Sequence, residues 1–317
     1  MKIILVTPSI PHSRTGNRAT AMRWRNILRD LGHQVHVDTI FIKGQYDAMV
    51  ALHSWRSADS IRNFDQHSPN KPLIVALTGT DLYKFIKSDP KKTLHSIAIS
   101  DALIALHDLA YQAIPQSYRQ KLSVIYQSAK PVKRNVIKNK SFFDVCVIGH
   151  LRDEKDPFRA AYAVRNLPEY SRIRIRQFGK AHNKKWADLA EQEMENNPRY
   201  RWFGDVPHWK IRKEYAGAQL MVLSSKMEGG ANVISEACVA EIPVIASNIK
   251  GSIGLLGKTY PGYYPVGDTI ALRNKLLQAE VDQKYLSNLQ KLCASRSSLF
   301  SYRKEIISWK KLLAEIN

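Results

Sequence analysis

The chain has 317 residues, of which 44% are hydrophobic, and its 48 lysines and arginines against 28 aspartates and glutamates give a net charge of +20. That length favours two domains of about 150 residues, and each is large enough to bury a hydrophobic core without disulfide bonds. The charge is compatible with nucleic acid, an acidic membrane surface or a phosphorylated small molecule, but the densest basic stretch, Lys130–Lys140, lacks the interleaved aromatics that favour nucleic-acid binding.

In the first half of the chain, short apolar runs alternate with a helical pattern, which is typical of a parallel sheet covered on both faces. Asn17 is the predicted cap of a helix that ends at Gly32. The predicted elements are the helix Asn17–Leu31 and the strands Lys2–Thr7, Val35–Ile40, Ala48–His53, Leu73–Leu77, Ala102–Leu106 and Leu122–Tyr126.

Lys130–Ser141 is basic, contains proline and has no periodicity, and the alternating pattern restarts after it. The predicted strands there are Phe143–Ile148, Ile173–Phe178, Arg201–Phe203, Leu220–Leu223 and Val244–Ala246, and the predicted helices are Pro157–Asn166, Trp186–Asn196, Asn232–Val239, Thr269–Ala279, Tyr285–Leu292 and Tyr302–Ile316.

We therefore predict an α/β fold with two Rossmann-like, doubly wound domains that face a central cleft. The first covers residues 1–130, a linker covers 131–141, and the second covers 142–300. The final segment, 301–317, is expected to pack back on the first domain. Ligands of such sheets bind beyond the carboxyl ends of the strands.

Near the start of the chain the longest apolar run is Ile3–Val6, which is too short for a signal-peptide core or a membrane span. The three cysteines, Cys146, Cys238 and Cys293, are far apart in the sequence, and buried thiols in a reducing cytosol are the simplest interpretation. We expect a cytoplasmic protein. Its oligomeric state is left open.

The segment Leu220–Glu236 carries the strongest functional signal. An apolar strand is followed by a turn with Glu228, Gly229 and Gly230, and then by a helix that holds Glu236 about two turns along. Glycines let backbone N–H groups approach a ligand closely, and a helix N-terminus suits a diphosphate. The two carboxylates suit sugar hydroxyls, so the segment predicts a nucleotide-sugar site.

This segment resembles the E-x7-E signature of the retaining glycosyltransferases of family 4, which have the GT-B fold. The resemblance implies that Glu228 contacts the donor sugar and Glu236 the ribose. Gly149-His-Leu-Arg-Asp-Glu-Lys155 resembles the turn whose cations clamp the diphosphate. Together, the two matches imply catalytic roles for Glu228, Lys155 and Arg152. The sequence departs from the family pattern at two positions, with His150 in place of the family arginine and Asp156 in place of the family glycine. The full predicted donor set is Gly16, Arg152, Lys155, Glu228, Gly229, Gly230, Ala231, Asn232, Val233 and Glu236.

The sequence has no Asp-x-Asp motif, so we expect no metal ion and no cofactor, with Lys155, Arg152 and a helix N-terminus neutralising the leaving group. The first domain is expected to bind the acceptor beyond its strand ends. Thr78 stands where the family has a histidine. Arg14, Arg18, Arg23 and Arg56 suggest a small anionic acceptor. The predicted acceptor set is Arg14, Asn17, Arg18, His53, Arg56, Thr78, Thr80 and Asp81.

Blocks over nearly the whole chain, among them Thr15–Arg18, Ala76–Tyr83 and Met227–Asn232, resemble the selenosugar synthases of selenoneine biosynthesis. That resemblance implies a hexosyltransferase that joins selenophosphate to the sugar of UDP-N-acetylglucosamine or UDP-glucose. The alternatives are a family 4 enzyme with an ordinary sugar or phosphosugar acceptor and, in a different class, a basic polyanion-binding module. The preferred UDP-sugar and the choice between retention and inversion at the anomeric carbon stay open.

Overall fold

The computed structural model of the chain describes residues 1–132 and 141–316. Residues 133–140 of the predicted linker lie outside the described residues. The strands are β1 (Lys2–Val6), β2 (Gln34–Asp38), β3 (Ala48–Leu52), β4 (Leu73–Leu77), β5 (Ala102–Ala105), β6 (Leu122–Val124), β7 (Phe143–Ile148), β8 (Ile173–Phe178), β9 (Tyr200–Trp202), β10 (Leu220–Leu223), β11 (Val244–Ser247) and β12 (Tyr263–Tyr264).

The helices connect these strands. They are α1 (Gly16–Asp30), α2 (Ala58–His67), α3 (Ile86–Ser88), α4 (Pro90–Ile99), α5 (Arg159–Val164), α6 (Lys184–Asn196), α7 (His208–Gly217), α8 (Asn232–Val239), α9 (Lys250–Leu256), α10 (Thr269–Val281), α11 (Gln283–Arg296) and α12 (Tyr302–Ile316). A single π-helical turn, Asp81–Phe85, precedes α3.

The chain divides into two compact units that are not continuous in sequence. The first comprises Met1–Ser128, the short segment Glu228–Asn232 and the chain from Ser301 onward. The second comprises Ala129–Met227 and Val233–Phe300. The turn that carries Glu228 therefore groups with the first unit rather than with its sequence neighbours.

Each unit contains one six-stranded sheet whose strand pairs are all parallel. The strand order is β2-β1-β3-β4-β5-β6 in the first unit and β12-β11-β10-β7-β8-β9 in the second. The order reverses between β1 and β3 in one sheet and between β7 and β10 in the other. In open α/β sheets, ligands bind outside the carboxyl ends of the strands at such reversals. The two predicted doubly wound sheets are confirmed.

The first sheet is buried on both faces, which is why its strands read as continuous apolar runs. Ile3 and Leu5 pack on one face and Ile4 and Val6 on the other. Helix α12 completes the first of these faces, because the Trp309 and Trp24 rings meet edge to face with their centroids 5.0 Å apart. The C-terminal helix is thus part of the hydrophobic core of the first unit.

The sequence predicts one end of helix α1 correctly and the other incorrectly. Gly32 follows the helix with a φ of +87°, as the sequence predicts. The predicted N-terminal cap, Asn17, is wrong. The Thr15 hydroxyl caps the helix by accepting a hydrogen bond from the Arg18 N–H, and Asn17 lies inside the first turn. Helices α2, α3, α4, α7 and α9 and strand β12 are absent from the prediction. Helix α7 buries only three residues, so its apolar pattern is weak.

The three cysteines are buried and free. Cys238 and Cys293 are distant in sequence but form a hydrogen-bonded pair, and the Tyr260 hydroxyl lies 3.4 Å from the Cys293 sulfur. The hydrogen bond to Cys293 and burial raise the pKa of Cys238 well above its usual value. Both side chains are completely buried and belong to the hydrophobic core.

Candidate donor and acceptor sites

The turn after β7 holds Lys155 in a defined position. The Ser224 hydroxyl, directly after β10, donates to the carbonyl of Lys155 at 3.1 Å and to that of Asp156 at 2.9 Å. Asp156 has the left-handed φ of +43° that glycine adopts most easily, and aspartate is among the residues that tolerate it. Its carboxylate accepts from the Arg159 guanidinium at 2.8 Å. The departure from the family glycine therefore retains the geometry that the turn requires.

Lys155 lines a cavity at the carboxyl ends of β7, β8 and β10, and Gly149, Ser224 and Ser225 line it too. The Lys155 stem lies over Gly149, 3.8 Å from the position that a Cβ would take there. Gln177 also lines this cavity; its side chain is buried, and neither of its amide atoms has a hydrogen-bond partner among the described residues. Gln177 sits inside a predicted strand, so the sequence offered no signal for it.

Arg152 lies in the same turn and is partly exposed. Its Nε is 3.9 Å from a Glu154 carboxylate oxygen, beyond hydrogen-bond distance. His150 occupies the position of the family arginine, and its Nδ1 accepts from the Lys180 N–H at 3.1 Å. The imidazole therefore stabilises the adjacent loop, and Lys155 and Arg152 are the cations of this turn.

The Glu228 turn is shaped by close backbone contacts within the first unit. A Cβ on Gly229 would lie 2.3 Å from the Thr78 carbonyl carbon and 2.4 Å from the Gly79 nitrogen. A Cβ on Gly230 would lie 2.3 Å from the Leu106 Cβ. The two glycines are therefore required by the packing of this turn against the loops after β4 and β5, and not only by a ligand's approach, as the sequence suggested.

Glu236 is the fifth residue of α8, so it lies just over one turn into the helix rather than two. One of its carboxylate oxygens is 3.1 Å from His208 Nε2, and the other accepts from the Tyr215 hydroxyl at 3.0 Å. Two further predicted donor residues lie at the start of this segment. Ala231 is buried, and the carbonyl of Val233 accepts a hydrogen bond from the Tyr215 hydroxyl.

Both partners of Glu236 have raised pKa values. The hydrogen bond to the carboxylate raises the pKa of His208, against burial and the nearby charges of Arg212 and Lys130. Burial, followed by the Glu236 charge, raises the pKa of Tyr215. Neither His208 nor Tyr215 is predicted from the sequence, because both lie on the unpredicted helix α7 and neither belongs to the E-x7-E pattern.

In the first unit, the loop after β4 is organised by Asp81. This carboxylate is fully buried and accepts from the N–H groups of Ser54, Thr78, Gly79 and Leu82 at 2.8–3.2 Å. Its acceptor capacity is used by the backbone. The geometry therefore assigns Asp81 to holding the loop, whereas the sequence placed it among residues that contact the acceptor.

His53 and Thr80 lie beside this loop. His53 is buried with a φ of +75°, and its Nδ1 accepts from the Arg56 N–H at 3.1 Å. Its Nε2 must then carry the proton in the neutral ring and donate to the Thr80 hydroxyl oxygen at 2.8 Å. Burial lowers the pKa of His53, which favours this neutral form. The Thr80 proton is thereby directed away from His53.

The predicted anion-binding residues of the first unit have different environments. Gly16, Asn17 and Arg18 form the first turn of α1, and Arg14 and Arg56 are exposed. Arg23 is different, because its guanidinium forms an ion pair at 3.1 Å with the buried carboxylate of Glu305. The positive charge of Arg23 is neutralised by Glu305 inside the protein. Arg23 is therefore not one of the cations that face an acceptor.

The second unit presents the Lys155 turn beyond the point where its strand order reverses, and the loop that leads to Glu228 begins directly after β10. Two parallel, doubly wound sheets with polar side chains beyond their strand ends define an α/β protein of the GT-B class. Residues 129–292, more than half of the chain, match the family described as glycosyl transferases group 1. The chain belongs to this glycosyltransferase family.

Solved structures with the same fold cover essentially the whole chain. Anabaena Alr3699/HepE in complex with UDP has a TM-score of 0.78 at 16% identity, with 99% of this chain and 100% of that chain covered. Sucrose-phosphate synthase from Thermosynechococcus elongatus has a TM-score of 0.80 at 15% identity, with 100% and 99% covered. At these identities the likeness shows the fold alone. No curated protein sequence matches the chain.

Among the residues that the structure describes, no helix is both long and apolar enough to cross a bilayer. Within residues 1–132 and 141–316, no group of three or more histidine, cysteine, aspartate or glutamate side chains is arranged to hold a metal ion.

Proposed function

We propose that the protein transfers a sugar from a UDP-sugar to selenophosphate. The observation that carries the donor half is the turn of Lys155, held by Ser224 at the start of the segment that leads to Glu228. It puts a cation at the carboxyl ends of β7 and β10, where the sheet order reverses and where nucleotides bind in such folds. The Anabaena structures of this fold contain UDP or UDP-glucose, which supports a uridine nucleotide.

Departure of UDP develops negative charge on the diphosphate. We infer that Lys155, Arg152 and the N-terminus of α8 offset this charge without a metal ion, because fixed cations and backbone dipoles can supply the same electrostatic stabilisation. Glu228 would contact the sugar and Glu236 the ribose. Incubation with EDTA should leave the rate of UDP release within about twofold of the untreated enzyme, and loss of activity that Mg²⁺ or Mn²⁺ restores would contradict the metal-free mechanism.

The proposal that selenophosphate is the acceptor rests on the arginines of the first unit and on the resemblance to selenosugar synthases. Arg14, Arg18 and Arg56 belong to the unit in which Thr78 replaces the family histidine. Selenophosphate is an anionic, soft nucleophile that needs orientation rather than deprotonation, so a cationic cradle is sufficient. Selenium attacks the anomeric carbon as the bond from that carbon to the diphosphate oxygen breaks. Water then cleaves the Se–P bond, which gives a selenosugar, UDP and phosphate.

The test is incubation of the enzyme with selenophosphate and either UDP-N-acetylglucosamine or UDP-glucose, followed by mass spectrometry. A selenosugar with the selenium isotope pattern is expected, and NMR of its anomeric proton assigns retention or inversion. UDP release that needs a sugar or phosphosugar, with no selenium product, would establish an ordinary family acceptor. DNA or RNA binding without UDP release would establish a polyanion-binding module.

The assignment of the acceptor cations has its own test. Arg18→Ala should raise KM for selenophosphate about tenfold, because a charge-assisted contact is lost, and leave KM for the UDP-sugar within about twofold. Equal KM values for selenophosphate in the variant and the wild type would remove Arg18 from the acceptor site.

A further inference from the structure

A buried carboxylate on the C-terminal helix holds two residues of α1. Glu305 is 1% exposed. One of its oxygens accepts from Trp24 Nε1 at 2.8 Å and from Arg23 Nε at 3.1 Å. The other accepts from the N–H of Ser128 at 2.8 Å and from the Ser128 hydroxyl. Because four donors satisfy it, this buried charge fixes the Arg23 guanidinium in one orientation.

The other end of Arg23 reaches the segment that follows Glu228. Its Nη1 donates to the Asn232 side-chain oxygen at 3.3 Å. Gln127 bridges the same groups when its amide oxygen accepts from Arg23 Nη2 at 2.9 Å. The Gln127 NH₂ then donates to the Gly230 carbonyl at 3.1 Å and to Asn232 Oδ1 at 2.9 Å. The opposite amide orientation would place the Gln127 oxygen against these two acceptors, so the bridging orientation is the stable one.

These contacts fix the turn that carries the Gly-Gly pair at two points, Gly230 and Asn232. The Gly230 carbonyl and the Asn232 side chain have no freedom to reorient while Arg23 and Gln127 hold them. Because the Asn232 oxygen is engaged by two donors, its NH₂ points the other way, and its Nδ2 lies 3.8 Å from the position of a Cβ on Gly16. The Asn232 amide nitrogen therefore lies close to the first residue of α1.

We propose that Arg23, whose guanidinium is fixed by Glu305, and Gln127 are positioning residues for UDP-sugar binding. They hold the Glu228–Asn232 segment in the conformation that receives the donor. This inference rests on the proposed function and adds to it residues that lie outside every donor motif. It also reassigns Arg23, because a cation of an acceptor site would change selenophosphate binding, whereas a positioning residue of this turn changes UDP-sugar binding.

The test uses Gln127→Met, which keeps the side-chain volume and removes the amide, together with Arg23→Ala and Arg23→Lys. Arg29→Ala is the matched control, since Arg29 is an exposed arginine of α1 that donates to the Val35 carbonyl. For each variant, calorimetry gives Kd for UDP, steady-state kinetics give both KM values, and thermal unfolding reports the folded state.

Gln127→Met and Arg23→Ala should weaken UDP binding and raise KM for the UDP-sugar about tenfold each, as expected when two hydrogen bonds that preorganise a site are lost. KM for selenophosphate should stay within about twofold, Arg23→Lys should recover part of the affinity, and Arg29→Ala should change neither constant. If Arg23→Ala does not fold, Gln127→Met alone decides the question.

Unchanged UDP affinity in a folded Gln127→Met variant, or an equal rise in both KM values, would overturn the positioning role. A wild-type protein that binds no UDP at all would instead overturn the proposed function. The two failures are therefore distinguishable in the same binding experiment.

Discussion

Replacing Gly229 with alanine introduces one methyl group where two backbone segments meet. The added Cβ would lie 2.3 Å from the Thr78 carbonyl carbon, 2.4 Å from the Gly79 nitrogen and 2.5 Å from the Thr78 oxygen. All three atoms belong to backbone, so no side chain can rotate away. A normal carbon contact is about 3.5 Å, so the turn must move by about 1 Å.

The size of the effect follows from this displacement. Overpacking of this kind costs about 1–3 kcal/mol of stability. Because the turn carries Glu228, a shift of about 1 Å should lower kcat/KM roughly 100-fold, which corresponds to about 2.7 kcal/mol of transition-state stabilisation. The loss of activity should therefore exceed what partial unfolding explains.

The assay is UDP release with UDP-N-acetylglucosamine and selenophosphate, measured beside thermal unfolding. Gly32→Ala is the control, because Gly32 has no atom within 4 Å of an added Cβ, so that alanine there meets only the strain of a φ of +87°. It should lose about 1 kcal/mol of stability and keep its activity. If Gly229→Ala retains kcat/KM within threefold of the wild type, the backbone contact does not position Glu228 and the reasoning fails.

Three further predictions concern the second unit. Lys155→Ala should lower kcat about 100-fold, with partial recovery in Lys155→Arg, in single-turnover assays of UDP formation, because a charge on the leaving group goes unneutralised. The ion pair of His208 with Glu236 stabilises the fold below about pH 6.5 and is lost as pH rises through the raised His208 pKa. On the proposed role of Glu236, ribose hydroxyls would compete with His208 for the same carboxylate. UDP should then bind more tightly at pH 8.5 than at pH 6, and His208→Gln should flatten that dependence in calorimetry. Asp156→Ala should be less stable than Asp156→Gly by about 1 kcal/mol in thermal unfolding, because alanine is strained at a φ of +43° and both variants lose the Arg159 contact.

The elements that the sequence predicts best are those whose burial is nearly complete. Leu73–Leu77, Phe143–Ile148 and Leu220–Leu223 were predicted with the observed bounds, because strands covered on both faces are continuous apolar runs. Short polar helices such as α7 were missed, because their few buried residues leave no periodic signal.

The candidate site also has features that the sequence predicts and features that it does not. The sequence alone determined the strand, turn and helix around Glu228, together with the lysine turn, because these features are local and depend on residue order. Tertiary structure decided which groups those residues meet. The Arg23 guanidinium pairs with the buried Glu305 carboxylate, and Asp81 accepts hydrogen bonds that hold the loop after β4. Gly229 packs against the backbone of Thr78 and Gly79. Such contacts join positions up to hundreds of residues apart, and no spacing along the chain encodes them.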